Sequence, residues 1–395
     1  MKTLDDVNLE KKVVFLRADF NVPLDENRRV ADDTRIKATL PTIERILQSG
    51  AKLLVASHLG RPKGKVVPEL SLKPVADHLS GLLGNSVLFV EDCVGEKRNE
   101  ALSKLKHGDL ALLENLRFHE GETKNDPEFA RSLAEGVDLY VNDAFAVSHR
   151  AHASVHAIIE YVPECAAGYQ LYKELDYYHR ALETPERPVA IVIGGAKVST
   201  KIGVLENLLS RCNIMIIGGA MANTFMKALG RPVGASQVED DYIETAREFL
   251  KRAQELGVEV HLPVDAVAAP SIDAEAEAME VSLDNIPENL AIFDVGPRTV
   301  ELFREAIEKA STVVWNGPMG VFEKPAFARG TMELAKAIAE HKGLTVAGGG
   351  DTVSALNEFG LYDKVGYVST GGGAFLELLE GKALPGVEAL ERCGK

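Results

Sequence analysis

Short, strongly apolar and β-branched runs, separated by amphipathic segments of helical length, recur along nearly the whole chain. In the first half they fall at residues 13–17, 53–57, 87–90, 110–113 and 139–141. In the second they fall at 189–193, 214–217, 258–262, 291–294, 312–315, 344–347 and 365–368. A strand with no polar face must be covered on both sides, which is the situation of a parallel sheet flanked by helices. The expected fold is therefore α/β. Two open, doubly wound (Rossmann-like) parallel sheets are expected, because 395 residues exceed what a single core supports. Residues 168–183 keep helical periodicity with no glycine after the first, and Thr184-Pro185-Glu186-Arg187-Pro188 then breaks it. The expected boundaries are a first domain over 1–168, a connecting helix and hinge over 169–188, and a second domain over 189–376.

Composition narrows the partners. With 46% hydrophobic and 26% charged residues the chain is an ordinary globular one, not a disordered one. Its net charge of -15 repels nucleic acid and anionic membrane surfaces at long range, so neither is expected as a partner. An anionic ligand must then be held by local basic clusters. Met1-Lys2-Thr3-Leu4-Asp5-Asp6 has no apolar core of a leader, and no stretch reaches the roughly 18 apolar residues needed to span a bilayer, so a cytoplasmic protein is expected. Cys93, Cys165, Cys212 and Cys393 are scattered and form no CxxC pair, and reduced thiols with no zinc site are the expectation.

Four glycine-rich turns follow apolar runs in the second half: Gly194-Gly195-Ala196-Lys197, Gly218-Gly219-Ala220, Gly348-Gly349-Gly350-Asp351 and Gly371-Gly372-Gly373. Bare backbone brings N–H groups close to an anion at a helix N-terminus, where the helix dipole adds to their pull. Four such turns on one sheet point to a phosphate-rich ligand. The stretch from Gly194 to Lys201 lacks Walker A spacing. With a helix beginning near Ala196, Lys197 and Lys201 would share one face and grip a polyphosphate; a solvated lysine face is an equal alternative. Asp351 is placed to meet Mg2+ riding on phosphates, and equally to cap its own helix. The loop from Trp315 to Glu323 offers a nucleoside an apolar wall and Glu323 for ribose hydroxyls, or is a packed surface turn.

Ligands of open α/β sheets bind outside the carboxyl ends of the strands. In the first half those positions read Asp19-Phe20-Asn21, His58-Leu59-Gly60-Arg61, Asn115-Leu116-Arg117 and Asn142-Asp143, followed by His149-Arg150. Arg35, after Asp32-Asp33-Thr34 and near an expected helix start, adds to this basic rim. The planar fork of arginine matches carboxylate and phosphate oxygens bidentately. Each arginine alone reads as a solvated residue and each histidine as a structural one. Their recurrence at one sheet edge favours a site.

Several of these stretches together resemble the phosphoglycerate kinase family, and the resemblance runs end to end. They include Arg17-Ala18-Asp19-Phe20-Asn21-Val22-Pro23, Asp33-Thr34-Arg35-Ile36, Ser57-His58-Leu59-Gly60-Arg61-Pro62, Glu114-Asn115-Leu116-Arg117-Phe118, Asn142-Asp143-Ala144-Phe145 and His149-Arg150-Ala151-His152. In the second half they are Gly194 to Lys201, Trp315 to Glu323, Gly348 to Thr352 and Ser369 to Ala374. The resemblance implies reversible phosphoryl transfer between 1,3-bisphosphoglycerate and MgADP, giving 3-phosphoglycerate and MgATP in glycolysis and gluconeogenesis, by a monomer whose domains close by hinge bending. It implies substrate binding by Asp19, Phe20, Asn21, Arg35, His58, Leu59, Gly60, Arg61, Arg117 and Arg150. Nucleotide binding would fall to Gly195, Ala196, Lys201, Gly219, Asn316, Glu323, Gly349, Gly350, Asp351 and Thr352, with Asp351 on Mg2+. Arg35, Lys197 and the amides of Gly371, Gly372 and Gly373 would meet the migrating phosphoryl group. It also implies that a tail over 377–395 returns to the first domain.

The chain departs from the family pattern at Ala220, where a third glycine is common, at Thr200, where aspartate is common, and at Ile292, a position near the adenine often held by glycine. Two other classes are weighed against this reading. A Rossmann-type dehydrogenase lacks its G-x-G-x-x-G after the first strand of either half. A non-catalytic two-domain anion or nucleotide binder would explain a hinge, but not Lys197, Asp351 and the Arg35 rim together.

Overall fold

The structure is a computed structural model that describes residues 1–393. Its strands in the first half are Val13–Arg17 (β1), Lys52–Ala56 (β2), Leu88–Val90 (β3), Leu110–Leu113 (β4), Leu139–Asn142 (β5) and Cys165–Ala167 (β6). Val14, Phe15, Leu16, Leu53, Leu54 and Val55 are wholly buried on both faces. Two-sided burial favours parallel partners with helical crossovers. They form one parallel sheet in the order β3-β4-β2-β1-β5-β6. The direction in which strands are added reverses at β1, whose neighbours are β2 and β5, and the crevice beyond its carboxyl end is where a ligand fits this topology.

In the second half the strands are Val189–Ile193 (β7), Ile214–Ile217 (β8), Glu259–His261 (β9), Asp265–Ala269 (β10), Met279–Ser282 (β11), Ala291–Val295 (β12), Thr312–Asn316 (β13), Leu344–Ala347 (β14) and Tyr367–Val368 (β15). Six of them make a second parallel sheet, β15-β14-β13-β7-β8-β9, whose reversal lies at β7 between β13 and β8. One expectation fails here. Residues 291–294 join no parallel sheet: β12 pairs antiparallel with β10, which pairs antiparallel with β11. The first three residues of β12 are only partly buried, and a short apolar run by itself carries no information about strand direction.

The chain divides into two compact units, one comprising Met1–Leu175 with the chain from Ala383 onward, the other Asp176–Lys382. The C-terminal helix Pro385–Arg392 lies against β6, with the Gly386 N–H donating to the Ser148 carbonyl at 2.8 Å. Residues 394 and 395 of the expected tail lie outside the described residues. The connecting segment is an α-helix, Tyr169–Tyr178, continued by a π-helical turn, His179–Glu183.

Cys165 and Cys393 form a disulfide, with Cα atoms 6.0 Å apart, which corrects the expectation of reduced thiols; Cys93 and Cys212 are free and buried. The bonded pair is 228 residues apart in sequence and meets only because the last helix docks on β6, so no local spacing announces it. Among the described residues, no helix is long and apolar enough to cross a membrane.

Candidate active site

In the first unit the expected rim residues gather at the carboxyl edge of the sheet. Arg35 sits in the first turn of helix Thr34–Gln48. Its Nη1 donates to Asp19 Oδ2 at 2.9 Å and to the Asn21 carbonyl at 3.3 Å. Asn21 Oδ1 accepts the Gly60 N–H at 2.9 Å, and the Gly60 carbonyl accepts from Arg117 Nη1 at 3.0 Å. Gly60 has φ +63°, a conformation that glycine enters without strain, so the loop after β2 can turn back toward Asn21. Asn115 ties the same loop to the end of β4, donating from Nδ2 to the Leu59 and Leu70 carbonyls. Phe20 and Leu59 bury their side chains in the core, so only their backbone faces the rim. Arg61 and Arg150 are exposed.

His58 and His152 at this edge are held uncharged. Burial, followed by the charges of Arg17, Arg117 and Arg35, keeps His58 well below its ordinary value of 6.5. Burial and the neighbouring Arg117, Arg17 and Arg150 bring His152 down to about 4. Burial is likewise the main cause that lowers Arg117 to about 10, with Arg17 adding to it. Arginine remains cationic at neutral pH, so the edge presents positive guanidinium groups and neutral imidazoles.

In the second unit the cradle is largely backbone. Gly195, Gly219 and Gly349 have φ of +139°, +70° and +102°. A Cβ on Gly219 would lie 2.4 Å from the Gly195 carbonyl oxygen, and one on Gly349 would lie 2.5 Å from Asn316 Nδ2. Asn316, at the end of β13, donates to the Gly348 carbonyl at 2.8 Å and accepts from Lys201 Nζ. Thr352 Oγ1 accepts the Gly317 N–H at 2.8 Å. These contacts bind the ends of β13 and β14 and the lysine into one frame. Beside it opens a cavity of about 290 Å3 lined by Gly195, Gly219, Ile292, Met319, Glu323 and Asp351, among others. Its wall is mostly apolar with a few polar side chains, among them Glu323 and Asp351, the character of a site for an organic group that also carries polar or charged atoms.

Two expectations are corrected. No helix starts near Ala196: Lys197 is extended (φ -136°), a 3-10 turn covers Val198–Thr200, and the helix is Ile202–Leu209. Lys197 and Lys201 therefore do not share a helical face. Lys201 is turned inward to Asn316 and burial lowers its pKa, whereas Lys197 is exposed. Asp351 is also not a cap, because helix Gly350–Glu358 is preceded by Gly349 at the N-cap position and Asp351 lies in its first turn. Gly371, Gly372 and Gly373 lead into helix Gly373–Leu379, with Gly372 at φ +49°.

Reading the sequence missed several members of both edges. Arg17, Ser154 and Glu122 are wholly buried beneath the first rim. The only signal was a lone charge ending an otherwise apolar β1. Asp294 was missed at the cavity, where burial raises its carboxyl to about 7 and the Gly330 and Val295 N–H groups donate to it at 2.7 and 2.8 Å. Asp92, Cys93 and His119 are the one cluster of metal-ligand type among the described residues, but His119 Nε2 and Asp92 Oδ1 already share a hydrogen bond at 2.7 Å.

The profile of the family described as phosphoglycerate kinase matches residues 4–382. The chain belongs to the phosphoglycerate kinase family. It is 55% identical over 393 residues to a phosphoglycerate kinase of Syntrophobacter fumaroxidans, covering 100% of this chain and 99% of that protein. It is 51% identical over 396 residues to that of Geobacter metallireducens, covering both chains in full. The fold matches a solved phosphoglycerate kinase from Coxiella burnetii with a TM-score of 0.92 at 42% identity, covering 100% of this chain and 99% of that one. A phosphoglycerate kinase from Pyrococcus horikoshii superposes with a TM-score of 0.83 at 35% identity over 99% and 98% of the two chains. Phosphoglycerate kinase activity in glycolysis, with phosphoglycerates and Mg-nucleotide as its ligands, is the function of this chain.

Proposed function

We propose that the first-unit rim holds the phosphoglycerate and the second-unit glycine cradle holds the nucleotide, with Arg35 and Lys197 on the transferred phosphoryl group. The observation that supports this most is the fixed head of Arg35. Asp19 and the Asn21 carbonyl take two of its hydrogen bonds on one guanidinium nitrogen, Nη1, and leave the rest of the fork for substrate oxygens. Arg61, Arg117, Arg150 and a neutral His58 supply the remaining donors. Asp19, Asn21 and the backbone of Phe20, Leu59 and Gly60 shape the pocket around the acid's hydroxyl and carboxylate.

On the other side Gly195, Ala196, Gly219, Gly349 and Gly350 bring backbone close to the polyphosphate, and Lys201 and Thr352 steady that frame through Asn316 and Gly317. Glu323 meets ribose hydroxyls at the mouth of the cavity. Asp351 is exposed, and among the described residues none donates a hydrogen bond to its carboxylate, so the donor present fits Mg2+, which takes one or two carboxylates besides water and phosphate. When bound, the ion supplies neutralisation of phosphate charge.

Transfer moves the phosphoryl group between the carboxylate oxygen of 3-phosphoglycerate and the terminal oxygen of ADP. The transition state is loose, with charge on three equatorial oxygens, so positioning and cationic stabilisation by Arg35, Lys197 and the amides of Gly371, Gly372 and Gly373 supply the catalysis. The acceptor carboxylate is already ionised at neutral pH and needs no general base. Because the two sets of residues belong to different units, we infer that bending accompanies turnover. The π-helical turn His179–Glu183 and residues 184–188 are the segment to test, a π-turn being a frequent mark of a functional break in a helix. Gly168 has a packing role of its own, since a Cβ there would lie 2.2 Å from Asp143 Oδ1.

The test is a coupled assay with 3-phosphoglycerate and MgATP on wild type, Arg35→Ala and Lys197→Ala, each checked for folding. Collapse of kcat in both variants with retained nucleotide binding is the expected result. Turnover near wild type in either would remove that residue from the transfer step.

A further inference from the structure

Beneath the first rim lies a chain of buried polar groups, Glu122, Ser154 and Arg17, that the assignments above leave unused and that ends on His58. Glu122, Ser154 and Arg17 are each 0% exposed and His58 is 3% exposed. Ser154 Oγ lies 2.6 Å from Glu122 Oε1, and the Ser154 N–H donates to Glu122 Oε2 at 3.0 Å. Arg17 Nε lies 2.8 Å from Ser154 Oγ, and Arg17 Nη2 lies 3.2 Å from His58 Nδ1. Tyr140 OH donates to the Ser154 carbonyl at 2.7 Å and so fixes that residue from a second side.

The chemistry of these groups gives the chain one direction. An ionised carboxylate only accepts, so the single hydroxyl proton of Ser154 goes to Glu122, and the lone pairs of Oγ are left facing Arg17. A guanidinium only donates: Nε to Ser154 Oγ, Nη1 to the Ala18 carbonyl, and Nη2 to His58. His58 Nδ1 must then be the acceptor. Its ring proton is forced onto Nε2, the nitrogen directed away from Arg17. A second proton is disfavoured because the ring is buried and Arg17, Arg117, Arg35 and His152 all face it. Glu122 is also the acidic counterweight to the buried Arg17, without which a desolvated cation would lack compensation.

We propose that Glu122, Ser154 and Arg17 act as a hydrogen-bond relay that sets the tautomer of His58, delivering a neutral ring with an Nε2–H donor to the rim. Glu122 and Ser154 are positioning residues: they touch no substrate and act through Arg17. The role of His58 toward phosphoglycerate rests on the reading given under Proposed function, but its tautomer does not.

The experiment is 15N NMR of the full chain labelled at histidine, unliganded and near neutral pH, on wild type, Ser154→Ala and Glu122→Gln. Wild type should show His58 as the Nε2–H form alone, a measurement that needs no variant to fold. Ser154→Ala, the milder change, should give a mixture of tautomers and raise the KM for 3-phosphoglycerate about five- to tenfold, the loss of roughly one hydrogen bond, with KM for MgATP unmoved. An Nδ1–H or cationic His58 in wild type overturns the relay, as does a tautomer indifferent to both substitutions. A shifted tautomer with an unchanged KM for 3-phosphoglycerate supports the relay and overturns the placement of substrate on His58.

Discussion

The carboxyl edge of the first sheet is built from side chains held in place by hydrogen bonds, and that of the second largely from bare backbone. Arg35 is fixed by Asp19, Arg117 by the Gly60 carbonyl, and His58 by Arg17, each along a named hydrogen bond. Gly195, Gly219 and Gly349 contribute only peptide groups; all three have a positive φ, and Gly219 and Gly349 also lack room for a Cβ. On the assignment proposed above, a small sugar acid offers few atoms, so its recognition needs directional forks, whereas a polyphosphate offers many equivalent oxygens and a concave backbone serves it. The two edges should therefore fail in different ways: the first on losing a side chain, the second on gaining one.

The largest expected effect is on the side-chain edge. Arg35→Ala should lower kcat by about a hundred- to a thousandfold, the range for removing one preorganised transition-state donor, and Arg35→Lys should recover little because an ammonium lacks the fork. Steady-state kinetics with both substrates saturating checks this; a fall in affinity alone would make Arg35 a binding group only. Next comes the covalent clamp, which belongs to the first unit only. Cys165→Ser should lower the stability of that unit by about 2–4 kcal/mol, read as faster amide hydrogen exchange in β1, β5 and β6 with β7 and β13 unchanged. On the backbone edge, Gly219→Ala should cost about 1–3 kcal/mol in stability and weaken nucleotide binding, since the methyl group meets the Gly195 carbonyl oxygen and the φ of +70° is strained for alanine. Gly350→Ala, where a Cβ meets nothing within 4 Å, should be neutral or stabilising by a few tenths of a kcal/mol. Equal penalties at the two glycines would mean the cradle is not set by steric exclusion.

The same contrast governs what could be read without a structure. Runs such as residues 13–17 and 189–193 coincide with β1 and β7 because burial on both faces leaves an almost unbroken apolar run. The positions after those strands, Asp19 and Gly195, could be singled out because this topology opens a crevice at the carboxyl ends of its strands. The antiparallel β10, β11 and β12 were not recognised as a sheet, since β11 is only four residues long and mostly exposed, and β12 looks like any apolar run. Lys197 was expected on a helix because four-residue spacing is helical in any context. The 3-10 turn that intervenes depends partly on Glu239, which accepts the Ser199 N–H at 3.1 Å from a distant part of the chain. Pairs such as Glu122 with Ser154, and Cys165 with Cys393, exist only after folding brings them together.

The smallest expected effect separates the two units by their buried acids and bases. In the first, His152 stays neutral in the folded state down to about pH 4, whereas in the unfolded chain it takes up a proton near 6.5. Between those values the unfolded state binds more protons, so acidification from pH 7 to 5 should cost the first unit on the order of 1–2 kcal/mol through this residue. His58 acts in the same direction, and Asp143, raised by burial to about 7, opposes them. In the second unit Asp294, also raised by burial to about 7, binds its proton in the folded state well above its ordinary value of 3.8. Its contribution is fully present below pH 3.8 and is lost as pH rises through 7, so acidification from 7 to 5 should add on the order of 1–2 kcal/mol to the second unit. Amide protection, taken relative to the intrinsic exchange rate at each pH, should thus rise in β12 and β13 while it falls in β1 and β5 on acidification. Asp294→Asn should abolish the rise and leave the fall intact, and His152→Gln should do the reverse. A uniform pH response across both sheets would show that the chain unfolds as one body and that buried charge is shared between its halves.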